Sequence, residues 1–165
     1  MTSPSENQSD SSRNLEVCAE LGQELIRRYK AAMGIENAPI WCALSANQRQ
    51  AFRDSAKFVI GHAATAEQLQ EWWAARQIKA GWKAGHRFDK YLRTDPMIKP
   101  WDDLVLGDQV CFSLFRDVVA KLWRTLRSAE WSLDEAIKRV VADEEEILHT
   151  APELSAMPLL LNAEV

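Results

Sequence analysis

The sequence predicts an all-α domain of about five helices with one long ordered loop, and three observations carry that prediction. Apolar residues recur at helical spacing in several segments, and no segment alternates with the period of a strand. Three capping boxes punctuate the chain, at Ser45-x-x-Gln48, Thr65-x-x-Gln68 and Ser132-x-x-Glu135. In each, a hydroxyl can accept from the amide three residues on, while the Gln or Glu reaches back to the cap amide.

Taken in order, residues 1–14 are rich in Ser, Asn, Asp and Glu and hold almost nothing apolar. Such a stretch cannot offset its own ordering entropy, so a flexible tail is expected. Leu15, Cys18, Leu25, Tyr29 and Met33 then mark a helix, with Gly34 as its stop. A loop with Pro39 and Trp41 follows. The Ser45 box opens a helix carrying Phe52, Ala56 and Val59 and ending near Gly61. The Thr65 box opens one with Leu69, Trp72, Trp73 and Ala80, stopped by Gly81. From Gly81 to Leu104 the pattern is irregular, with Gly85, Pro96 and Pro100; loops this long are either disordered or functional. A helix over 105–127 follows, striped with Val110, Leu114, Phe115, Val118, Leu122 and Trp123. The Ser132 box opens the last, with Ala136, Ile137, Val140 and Val141, running toward His149 and ending before Pro152. The organisation is therefore a tail (1–14), one helical domain (15–150) and a second tail (151–165). The apolar stretch LSAMPLLL within that second tail could dock on the body or pair with another copy, giving a homo-oligomer.

Composition narrows the function. A chain of 165 residues with 47% hydrophobic side chains builds one core without staples. A net charge of −4 gives no global field to attract nucleic acid or anionic lipid. Three cysteines, widely spaced and without a C-x-x-C pair, point to a reducing compartment. The N-terminus has neither a basic nor an apolar targeting region, and no apolar run reaches the length of a membrane span; a cytoplasmic protein is expected.

Enzyme signatures are not legible. The sequence has no GxxxxGK[ST] and no GxGxxG. Glu146-x-x-His149 has the spacing of half a di-iron motif, but the second pair and the two further glutamates are missing, so no metal is expected. His62 at a helix end reads as structural. The cysteines have no neighbouring His in sequence to activate a thiol, and Asp143-Glu144-Glu145-Glu146 reads as a solvated charge run. The expectation is a non-enzymatic protein without a cofactor.

What does carry chemistry is the loop. The chain has seven tryptophans, and Trp73, Trp82 and Trp101 flank or occupy the irregular stretch. Lys79, Lys83, His86, Arg87, Lys90 and Arg93 make a basic cluster inside an acidic protein. Aromatic faces stack on planar ligands and basic side chains meet phosphate, with Arg able to do so bidentately. Trp82 and Trp73 are the candidates for stacking, and Lys83, Arg87 and Lys90 for the phosphate. The plain alternative is that the tryptophans pack the loop on the helices and that Asp89 and Asp95 balance a solvated basic face.

The stretch Trp73-AARQIKA-Gly81-Trp82-KA-Gly85-HRFDKYLRTD-Pro96-MIK-Pro100-Trp101-DDL resembles the ryanodine receptor repeat (RyR) domain, the core likeness covering about residues 67–122. The segment with Trp41 ahead of the first capping box is similar to the leading helices of stand-alone bacterial and bacteriophage members. The resemblance implies a mostly helical module with two helices beside an ordered loop, which sits in the cytoplasmic assembly of large calcium channels. Its stand-alone forms are considered candidate sensors or binders of nucleotide-derived ligands. Trp73, Trp82, Gly85, Pro96, Pro100 and Trp101 fall on the family's marked positions. Three residues depart: Gln70 and Asp95 stand where members commonly have His, and Ala84 where they have an aromatic. The combined reading is a cytoplasmic binder of a nucleotide-like or otherwise phosphorylated small molecule, with Trp73, Trp82, Lys83, Arg87, Lys90 and Trp101 as site residues. The alternative is a protein-interaction or oligomerisation module, phage-borne and acting on host signalling.

Overall fold

The computed structural model describes the backbone of residues 4–35, 38–128 and 131–156, and the side chains of 11–35, 38–128 and 131–145. Five α-helices account for most of the described residues: α1 (Pro4–Ala32), α2 (Ala46–His62), α3 (Ala66–Lys79), α4 (Leu106–Arg127) and α5 (Leu133–Ala156). The protein is predominantly helical, as the periodicity requires. All three capping boxes form. Ser45 Oγ accepts from the Gln48 amide and Thr65 Oγ1 from the Gln68 amide, both at 3.2 Å, and each Gln returns a bond to its cap amide. Glu135 likewise accepts from the Ser132 amide at 3.0 Å.

The helix stops are local too. At the end of α1, Gly34 adopts φ +72° and the Ile35 amide donates back to the Lys30 carbonyl at 2.9 Å. α2 ends at His62, near Gly61 as expected. Gly61 lies inside the helix, and the left-handed position falls on Ala63 (φ 47°), whose neighbour Ala64 donates to Val59 at 3.3 Å. Tertiary contact holds this corner: Ala64 is buried and its carbonyl accepts from Arg116 Nε of α4 at 2.9 Å. A Cβ in the left-handed region costs about 1 kcal/mol or more, so the corner is set by packing rather than by residue choice.

Both ends extend past the expected boundaries. Helical backbone begins at Pro4 rather than at residue 15, consistent with proline's fitness for a first helical turn and with cheap propagation from a packed helix. At the other end α5 passes through Pro152 to Ala156, although proline forfeits its own amide bond there. Most of the LSAMPLLL stretch and the side chains of Glu146 and His149 lie outside the described residues.

Helix α4 is the hub, packing against α1, α2, α3 and α5. Its face of Cys111, Leu114, Phe115, Val118, Val119 and Leu122 meets Cys18, Leu25 and Tyr29 of α1, Ala56 and Val59 of α2, and Ala136 and Val140 of α5. The four-acid run of α5 is not uniformly solvated. Glu144 is buried and paired with Lys121 of α4, because it continues the i, i+4 row of Ala136 and Val140. Asp143 and Glu145 are exposed, as expected.

One entry device occurs twice. A short 3-10 turn begins at Trp41 and another at Trp101, each followed by a buried leucine (Leu44, Leu104) and then by a helix. Each tryptophan ring meets a phenylalanine eleven residues on, Trp41 with Phe52 at 6.1 Å and Trp101 with Phe112 at 6.4 Å. The indole braces the first turns of α2 and α4 from outside, which fixes where the preceding loop arrives.

Candidate ligand-binding site

The loop between α3 and α4 is built from its own backbone. Gly81, at φ +88°, turns the chain out of α3: its amide donates to the Ile78 carbonyl at 2.9 Å and the Trp82 amide to Gln77 at 3.0 Å. This left-handed closure is cheap only for glycine. Two short parallel strands follow, β1 (Lys83–Ala84) beside β2 (Thr94–Asp95). They are too short for any alternation to be read from sequence. Gly85 must lack a side chain, since a Cβ there would lie 2.6 Å from Thr94 Cβ.

Between these parallel strands the chain closes on itself through the antiparallel Asp89–Thr94 bridge, and segment 82–95 is called the hairpin after that turn. Asp89 and Thr94 exchange backbone hydrogen bonds at 2.9 and 3.0 Å, and Asp89 Oδ1 accepts from the amides of Tyr91 and Leu92. Arg93 takes a positive φ of 52° and donates from Nη1 to the Ala80 carbonyl, tying the hairpin to the end of α3. Asp95 Oδ1 accepts from the Met97 amide at 2.8 Å, a turn bond of the kind that short acids favour. Asp89 and Asp95, the two acids of segment 82–95, are thus engaged with backbone amides. Among the described residues Lys79, Lys83, His86, Arg87 and Lys90 enter no ion pair, so the loop keeps a local positive charge on an acidic protein.

Gln70 supplies an anchor that sequence reasoning missed. It is 1% exposed, and its Nε2 donates to the carbonyls of Met97 (3.1 Å) and Lys99 (2.9 Å), holding the returning limb of the loop against α3. Its partners lie more than two dozen positions away, so no local signal marks it. Two of the departures from the family pattern, Gln70 and Asp95, therefore serve the loop's architecture; Ala84 lies exposed on β1.

The six expected site residues fall into two groups. Trp82, Lys83, Arg87 and Lys90 share the projecting hairpin. Trp82 is half-buried and stacks on Phe88 at 5.4 Å with 27° between the rings, while Phe88 itself is 62% exposed. Lys90 Nζ sits 4.9 Å from the Tyr91 ring. Trp73 and Trp101, by contrast, meet one residue of α4: both pack edge-on against Phe112, at 5.8 and 6.4 Å. Trp101 belongs to the framework that seats α4. Trp73 lines a cavity of about 270 Å³ between the helices. The remaining aromatic cluster is packing: Trp72 lies flat on Phe58 at 4.8 Å, with Arg76 at 4.7 Å from its ring, and Phe58 packs on His62.

Of the three free cysteines, Cys18 and Cys111 are buried and Cys42 is exposed. Burial pushes the Cys18 thiol up to about 12 and the Cys111 thiol up to about 11, so both are protonated at neutral pH. Burial also raises the Asp108 carboxyl, against the pull of Lys30 and Lys99. Among the described residues no group of three or more His, Cys, Asp or Glu side chains could hold a metal ion. No described helix is long and apolar enough to cross a membrane.

Residues 55–135 match the family model of the RyR domain, a span that runs from the middle of α2 to the start of α5 and encloses the whole loop. The match extends further at both ends than the motif around the loop. No curated protein matches the chain, and neither does any solved structure. The likeness to the RyR domain thus covers residues 55–135, 81 of the 165 residues of the chain.

Proposed function

We propose that the chain is a non-enzymatic binding module whose hairpin, residues 82–95, takes a planar ligand carrying phosphate, such as a nucleotide derivative. The stacked Trp82–Phe88 pair carries this reading. It presents a largely exposed aromatic ring on a backbone fixed by its own hydrogen bonds, in a segment where Lys83, Arg87 and Lys90 form no ion pair among the described residues and the cations outnumber Asp89 and Asp95. A base would extend the stack, and the cations would reach the phosphate; preorganisation of the loop keeps the ordering cost of binding low. A stand-alone module of a bacterium or bacteriophage, working in a cytoplasm, suits such a role, and sequestering a signal nucleotide is one use of it.

Thermal-shift measurements with a panel of linear, cyclic and ribosylated nucleotides test the proposal. A ligand at about a hundredfold its Kd adds roughly 2.7 kcal/mol, a rise of roughly 5–10 °C for a domain of this size. Trp82→Ala should abolish the rise and Trp82→Phe retain much of it. A panel without any shift, or a shift indifferent to Trp82→Ala, contradicts the proposal.

A second reading rests on a separate observation. Tyr91 and Leu92, at the tip of the same hairpin, are 85% and 68% exposed. Apolar side chains so exposed beside cations suit a protein partner with an acidic rim. Concentration-dependent sedimentation that Tyr91→Ser and Leu92→Ser abolish would favour that reading.

A further inference from the structure

The cavity beneath Trp73 is separate from the hairpin and has its own chemistry. Ile26 of α1, Phe52 of α2, Trp73 of α3, Phe112 of α4 and Met97 of the loop's returning limb form its walls. At about 270 Å³ it is roughly twice the size of the apolar cavity of about 150 Å³ that admits benzene. Its lining is overwhelmingly apolar, and water gains little in such a space. Among the described lining residues there is one charged group, Lys30, in the last turn of α1, and no carboxylate. Lys30 enters none of the ion pairs among the described residues, and Asp108, whose carboxyl feels it, stands outside the lining.

From this juxtaposition we infer that the cavity is a binding site for a small aryl carboxylate, its ring held among Phe52, Trp73 and Phe112 and its carboxylate on Lys30. The aromatic lining, Phe52, Trp73 and Phe112 with Phe115, favours an aromatic guest over an aliphatic one, through edge and face contacts beyond simple burial. Lys30 is the one cation of an otherwise apolar lining, and a charge-assisted bond to a carboxylate gains strength where the surroundings are apolar. The space accommodates one ring and a short acidic arm. The site uses neither Trp82 nor the hairpin cations, so it stands whether or not the hairpin binds nucleotides.

Calorimetric titration of the full chain with cinnamate, and with its neutral analogue cinnamamide, tests the assignment. Saturable cinnamate binding with a Kd below about 1 mM is expected, with cinnamamide about tenfold weaker. Lys30→Met keeps the stem's packing and should bring cinnamate down to the level of cinnamamide. Ala51→Phe, at an exposed lining position of α2, should block both ligands; a cooperative melt confirms that each variant is folded. Trp82→Ala should leave cinnamate binding unchanged. Absence of saturable binding, equal binding by folded Lys30→Met, loss of cinnamate binding in folded Trp82→Ala, or tighter binding of octanoate than of cinnamate would each overturn it.

Discussion

Gln70 illustrates how one side chain holds a loop that runs from the end of α3 at Lys79 to the start of α4 at Leu106. Its amide nitrogen serves two carbonyls of the returning limb, Met97 and Lys99, and the side chain is 1% exposed. Truncation would leave both carbonyls facing an apolar gap. Gln70→Ala is therefore expected to cost about 2 kcal/mol in urea denaturation. Gln70→His, which restores the residue common in the resembling family and keeps one donor, should cost less. Equal losses for the two variants would show that volume and not hydrogen bonding is what matters at this position. Gln70 was legible in the sequence only as a departure from a pattern. What it does depends on atoms far along the chain, and no periodicity reports that.

At the scale of elements, local chemistry was the readable part. Ser45, Thr65 and Ser132 announce helix starts because a cap and its partner lie three residues apart, and Gly34 and Gly81 announce stops because the left-handed turn needs no distant contact. Where tertiary packing sets the geometry the sequence misleads. Ala63, and no glycine, takes the left-handed position after α2, beside the bond from Arg116 to the Ala64 carbonyl. Glu144 looked like part of a solvated run, yet its register with Ala136 and Val140 was already a signal for burial. Its partner Lys121 is 40% exposed while Glu144 is almost wholly enclosed, so removing the lysine strands a buried carboxylate. Lys121→Met should cost about 2–3 kcal/mol by denaturant unfolding. The double variant Lys121→Met/Glu144→Leu should recover most of that loss. A single variant as stable as the parent would mean that Glu144 reaches water or takes up a proton without penalty.

For the whole molecule, α4 and the two tryptophan-braced turns fix where the hairpin leaves the body, while the hairpin's shape comes from its own backbone bonds. The sequence foretold an aromatic and basic loop, and the structure divides its residues: Trp82, Lys83, Arg87 and Lys90 on the hairpin, Trp73 and Trp101 on Phe112. That division was not legible, because in linear sequence Trp73, Trp82 and Trp101 all lie in or beside the loop and only the fold separates them. The proposed binding surface is therefore the hairpin. The most direct measurement is a map of backbone-amide NMR shifts as the tightest-binding nucleotide of the panel is added to the full chain. Perturbations concentrated on residues 82–95 and at the end of α3 are predicted. Perturbations confined to the α1–α2 face, or spread without a maximum on the hairpin, would contradict the proposal.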